Sequence, residues 1–182
     1  MNKKLLNIKF NNFKKNKLFK NTIIYTTTEI INKAVPFLLL PILTIYLSPS
    51  DYGTVATYGA FSLIVAVLIH LSMTGAISVN FFKLSKGHLK IYIFNTLIIA
   101  FTSMSILSIF MFFFSDEISS KLNIPSIWLF IGIFVTFSQF ITSLNLTLWQ
   151  MEQEAAKFGI YQVIQTLTNA ISILVFVIVY KM

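Results

Sequence analysis

The sequence predicts an all-α polytopic membrane bundle of about five transmembrane helices, and three observations carry the prediction. Of the 182 residues, 56% are hydrophobic and 11% are charged, whereas a soluble domain carries about 25% charged residues. The apolar residues fall in long runs rather than in one stripe per helix, and a helix that is apolar all round needs a large core or lipid around it. A chain of this size has too little core to bury several such helices. The runs number five, each at least as long as the ~20 residues that cross a bilayer core.

Residues 1–20 hold seven of the fourteen Lys and form a basic tail. Leu6, Phe10, Phe13 and Lys17 share one helical face, so the tail reads either as an amphipathic segment against anionic headgroups or as a disordered extension. Span one covers about 21–47 and carries Pro36 and Pro41; a run this long with internal prolines reads as a retained span, not a signal peptide. The breaker-rich run from Ser48 to Gly53 follows as a turn. Span two covers 54–79, and the basic loop after it carries Lys83, Lys86, His88 and Lys90. Span three covers 91–114, followed by a polar stretch from Ser115 to Pro125. Span four covers 126–149, then a charged link from Gln150 to Lys157, and span five covers 158–180. Residues 21–182 thus form the transmembrane bundle.

Orientation follows from the Lys distribution, since cytoplasmic loops are enriched in basic residues. The tail, the loop after span two and the link after span four hold eleven Lys, and the opposite side holds Lys121 and Lys181. The N-terminus is expected in the cytoplasm and the C-terminus outside. Tyr46, Tyr52, Tyr92, Trp149 and Tyr180 fall near span ends, where interfacial aromatics collect.

Span one holds the most informative cluster, Glu29, Asn32 and Lys33. With the span starting near Asn21, the helical rise puts Glu29 about 12 Å in and Lys33 about 18 Å in. A charge at such depth costs at least ~2.5–3.5 kcal/mol. Glu and Lys four apart can pair along the helix, which offsets part of that cost without explaining the charges. Thr22, Thr26, Glu29, Lys33 and Pro36 share a face with Asn32 beside it, and Pro36 leaves the Asn32 carbonyl without its helical donor. This face reads as the wall of a polar pathway, with Lys33 contacting an anion and Glu29 taking a proton or cation. The competing reading is a self-neutralised pair that positions span one.

Span four carries Gln139, Thr142, Ser143 and Asn145, and span five carries Gln162, Gln165, Thr166, Asn169 and Ser172. These residues line the same cavity or supply interhelical hydrogen bonds, each worth about 0.6 kcal/mol. His70, inside span two, fits a packed residue with one hydrogen bond better than a proton relay. Lys83, Lys86 and Lys90 can draw anionic lipid or a pyrophosphate headgroup, or serve only as a topology signal.

Other chemistries find little support. There is no Cys and no His/Asp/Glu set with metal-ligand spacing, no Gly-x-Ser-x-Gly elbow and no Gly-rich phosphate loop, so the chain reads as a non-enzyme without a cofactor. Nucleic acid is an unexpected partner, because the +8 net charge is all Lys, mostly in the tail and one loop, and Arg, the usual bidentate reader, is absent.

The run Ala34-Val-Pro-Phe-Leu-Leu-Leu-Pro-Ile-Leu-Thr-Ile-Tyr-Leu-Ser-Pro-Ser-Asp-Tyr-Gly53 resembles the start of bacterial O-antigen and capsular polysaccharide repeat-unit flippases, within the multidrug/oligosaccharidyl-lipid/polysaccharide exporter superfamily. The segment from Gly75 through Asn80-Phe81-Phe82 and the link from Glu152 to Gly159 are similar to the same family. The resemblance implies transport of undecaprenyl-pyrophosphate-linked oligosaccharide across the bacterial cytoplasmic membrane. It also implies a cationic central cavity, coupling to a proton or sodium gradient, and roles for Lys33 in the cavity and Glu29 in coupling. Five spans are fewer than the family's twelve to fourteen or so, and alternating access needs two units. The expectation is therefore the first part of a flippase, as a truncated or split chain completed by a second chain. A small non-transporting membrane subunit of polysaccharide assembly and a multidrug exporter fragment are the alternatives.

Overall fold

The computed structural model describes the backbone of residues 3–180 and the side chains of residues 17–178. The chain is all-α: α1 (Lys3–Tyr46), α2 (Pro49–His70), α3 (Met73–Phe81), α4 (Lys86–Leu122), α5 (Ser126–Met151) and α6 (Ala155–Tyr180). Five of these helices are long and apolar enough to cross a membrane. Large apolar side chains stand bare along them, Phe112 and Phe113 each 74% exposed, as expected where lipid rather than protein covers the surface.

Several boundaries differ from the sequence reading, each for a local reason. From Lys3 onward the expected tail is continuous with span one in a single helix; the side chains of Leu6, Phe10 and Phe13, and residues Lys181 and Met182, lie outside the described residues. The predicted turn from Ser48 to Gly53 is instead the start of α2. Ser48 Oγ accepts from the Asp51 N–H (3.2 Å), the Ser48 N–H donates to the Asp51 carboxylate (3.1 Å), and Pro49 takes the first helical position, where its missing N–H costs nothing. The polar stretch after span three is helical to Leu122. The Glu117–Lys121 pair (2.6 Å) supports that turn, and Asn123, at φ 58°, closes it. The charged link after span four shrinks to three residues, with Gln153 at φ 59° making the turn.

Span two, expected as one helix over 54–79, is two. Leu71 (φ 44°) and Ser72 (φ 55°) interrupt it. Packing nonetheless continues across the interruption, because Phe61, Val65, Ile69, Met73 and Ile77 are all buried in one core.

The chain forms two compact units. Unit one pairs α1 with α6, and unit two contains α2 to α5. In unit two, the α2–α3 stripe packs with Leu129, Ile133, Phe140 and Leu144 of α5 and with Ala100 and Met111 of α4. Gly132 sets how closely α2 and α5 approach: a Cβ there would lie 3.1 Å from both the Phe61 ring and the Tyr58 hydroxyl.

Candidate functional site

The α1–α6 pair is built from small residues and one amide clamp. Asn21 Nδ2 donates to the Gln153 carbonyl (3.3 Å), and the Tyr25 and Phe158 rings meet edge to face at 5.1 Å. Gly159 lies against Thr28 and Ile24 so closely that a Cβ would be 2.9 Å from Thr28 Oγ1. One turn further on, Asn32 Nδ2 donates to Gln162 Oε1 and Asn32 Oδ1 accepts from Thr166 Oγ1 (2.6 Å). Residue numbers rise together along both helices, so α1 and α6 run parallel.

Parallel pairing gives the unit two distinct sides. With Thr28 facing α6, the 100° step per residue puts Ile24, Ile31 and Thr27 about 40–100° round α1 in one sense, and Glu29 and Lys33 about 100–140° round in the other. With Gly159 facing α1, Val163 and Ile160 lie about 40–100° round α6 in one sense, and Gln162, Asn169 and Gln165 about 60–120° round in the other. Ile24, Thr27 and Ile31 join Ile160, Val163 and Ile164 in one apolar groove of about 500 Å³. The opposite side therefore gathers Glu29, Lys33, Gln162, Gln165 and Asn169, with the Asn32 clamp in its seam.

Depth makes the polar side notable. Counting from Lys17 and Tyr46, the ends of the apolar part of α1, Lys33 is about 24 Å from one end and about 20 Å from the other. Glu29 is about 18 Å and about 26 Å from the same ends. Both are exposed within the chain.

The Glu29–Lys33 ion pair of the competing reading does not form. The ion pairs among the described residues are Glu117–Lys121 and Glu154–Lys157. The seam toward α6 is filled by Asn32 instead, and the two charges flank it without partners on α6. Asn32 and Gln162 turn out to bond each other, so they serve the helix pair first and any cargo second.

The span-four candidates behave differently. Gln139 and Asn145 are exposed on α5 of unit two and stand about 120° apart round the helix, so they form no single stripe. Asn145 Nδ2 donates to the Ile141 carbonyl of its own helix (3.2 Å), not to a neighbour. Lys83, Lys86 and Lys90 are exposed at the α3–α4 turn, where Ser85 caps α4 by accepting from the His88 N–H (3.5 Å). Lys86, the first residue of α4, opposes that helix's dipole by about 0.3–1 kcal/mol, so it does not serve the stability of α4. His70 packs against Phe140 (5.4 Å between rings), with Nε2 3.4 Å from the Thr136 carbonyl.

Sequence reasoning missed the Thr28–Gly159 contact. Its signal was present: Ala155 and Gly159 stand four apart at the start of α6, a small-xxx-small spacing that lets membrane helices approach closely.

The chain is 30% identical over 157 residues, 85% of its length, to protein 1 of the Lsg locus of Haemophilus influenzae. It is 28% identical over 153 residues, 84% of its length, to a second Haemophilus influenzae protein, described as a membrane protein. It spans about a third of each relative, 36% and 35% of their lengths. No family model matches the chain, and no solved structure matches it.

Proposed function

We propose that this chain is the N-terminal part of a flippase that moves undecaprenyl-pyrophosphate-linked oligosaccharide repeat units across the bacterial cytoplasmic membrane, for O-antigen or capsule synthesis. The observation that carries the reading is the polar side of the α1–α6 pair. Two unpaired charges and a row of amides at mid-span depth are costly against lipid and make sense against a hydrated pathway. A transporter of this kind has to pass a pyrophosphate and hydroxyl-rich sugars through the apolar slab while the prenyl tail stays in lipid. In this reading Lys33 meets the pyrophosphate, Glu29 binds the coupling proton or sodium ion, and Gln165 and Asn169 offer hydrogen bonds to sugar hydroxyls. Lys83, Lys86 and Lys90 draw the anionic headgroup to the cytoplasmic face. Since alternating access needs two units moving against each other, further spans complete the transporter, in the same or a second chain.

The test is complementation of a flippase-deficient strain, scored by surface polysaccharide, with this chain alone and with the reading frame that follows it. Rescue when the further spans are supplied supports the proposal. Absence of rescue in both arms, with the protein inserted in the membrane, points instead to a non-transporting subunit.

A further inference from the structure

The Asn32 clamp fixes which end of the Gln162 amide is free. Asn32 Oδ1 stands 2.6 Å from Thr166 Oγ1, a separation within the O–H···O range and short of the N–H···O one. The Asn32 oxygen therefore faces Thr166, whose hydroxyl donates to it, and the Asn32 amino group faces Gln162. An amino group only donates, so the Gln162 atom it meets is the side-chain oxygen.

This arrangement leaves Gln162 with a committed oxygen and an uncommitted amino group, which donates to no other side chain or backbone group among the described residues. On α6, Thr166 stands about 20° and Gln162 about 60° round from Gly159, both toward the polar side. Thr166 thus sits in the seam and Gln162 at its polar margin. Asn32 draws the Gln162 oxygen into the seam, and the amino group, on the same planar carbon, is left at the margin.

Lys33 follows Asn32 along α1, so it lies at the depth of the clamp, and it is exposed on the same side. An ammonium, like an amino group, carries donors and no acceptor. Two donor-only groups therefore stand together well inside the span. Lipid tails offer no acceptor to either, and an N–H left unpaired at such depth is costly. Whatever meets the pair has to bring oxygen acceptors, and negative charge suits it best.

We propose that Asn32 is a positioning residue that keeps the Gln162 amino group beside Lys33, so that the two together take the pyrophosphate oxygens of the cargo. A cation finds no acceptor on either group, which selects for the anionic lipid carrier over cationic amphiphiles. The ligand rests on the cargo assigned above; the orientation of the amide rests on the clamp alone.

Gln162→Glu separates this role from packing. The new side chain keeps the oxygen that Asn32 holds and replaces the free donors with an acceptor. In the complete transporter, held in nanodiscs, Gln162→Glu should weaken binding of undecaprenyl-pyrophosphate-linked oligosaccharide by about tenfold or more, the loss of a hydrogen bond to a charged group. The unfolding midpoint should stay where it is. Orientation is read separately, from the infrared carbonyl stretch of Gln labelled with carbon-13 in its side chain, the Gln162 band being the one lost in Gln162→Leu. Asn32→Leu should move that band to higher frequency as the carbonyl loses its donor; an unmoved band would overturn the orientation. Binding by the unsubstituted transporter that Gln162→Glu leaves unchanged would overturn this proposal alone. Failure of the unsubstituted transporter to bind the lipid-linked sugar would refute the cargo reading and the pyrophosphate contact with it.

Discussion

Replacing Gly159 with Ala probes the α1–α6 pair at its tightest point. The added Cβ would stand 2.9 Å from Thr28 Oγ1 and 3.0 Å from Ile24 Cγ2, inside ordinary van der Waals contact at both atoms. Thr28 is 3% exposed and β-branched, so its freedom to turn aside is restricted. The helices must separate by about half an ångström, and overpacking of this kind costs about 1–3 kcal/mol. Gly75→Ala is the matched control, since a Cβ there meets nothing within 4 Å. Gly75 is the third residue of α3, and there the change should stabilise by less than the ~1 kcal/mol of a helix interior. Denaturant unfolding of the full chain in bicelles should therefore move in opposite directions for the two variants. Adding Thr28→Ala should recover part of the Gly159→Ala loss. If Gly159→Ala were as stable as Gly75→Ala, the close parallel packing of α1 on α6 would be wrong.

Other consequences can be read in the same way. Asn32→Leu removes two interhelical hydrogen bonds and should cost about 1.2 kcal/mol at about 0.6 each, measured by the same unfolding; no change would mean that the clamp is absent in the membrane. Lys33→Ala and Glu29→Ala should abolish transport in a complemented strain while leaving insertion intact, because neither side chain holds α1 to α6; surface polysaccharide at the unsubstituted level in both would remove them from the pathway. Ser48→Ala breaks the capping box at the start of α2 and should cost about 1 kcal/mol, seen as a lowered unfolding midpoint; an unchanged midpoint would mean that Pro49 alone starts the helix.

The membrane helices were legible because lipid demands long apolar runs, and such runs need no partner to be recognised. The polar residues of α1 and α6 were legible for the complementary reason, since each is out of place in lipid. Their arrangement was not. That Glu29, Lys33, Gln165 and Asn169 share one side depends on α1 and α6 running parallel in register, which Thr28, Gly159 and the Asn32 clamp determine by long-range contact. The spacing of Glu29 and Lys33 allowed a pair, yet spacing brings two side chains within reach without requiring that they meet. The interruption at Leu71 and Ser72 carries no Pro or Gly at either position, so no local signal announced it. The Ser48–Gly53 run misled because Ser, Pro and Asp serve a helix start as well as a turn. Gln139 and Asn145, six residues apart, stand about 120° apart round α5, too far to line one cavity wall together.

The most direct measurement compares two positions on α6 that are both exposed within the chain but lie on opposite sides of the pair. Asn169→Cys belongs to the polar side, and Ile164→Cys to the apolar groove. With the complete transporter in membranes, a charged, impermeant thiol reagent should modify position 169 and spare position 164, and undecaprenyl-pyrophosphate-linked oligosaccharide should slow the reaction at 169. Equal silence at both positions, or modification at 169 that the lipid-linked sugar leaves unchanged, would contradict the assignment of this side of the α1–α6 pair to a cargo pathway.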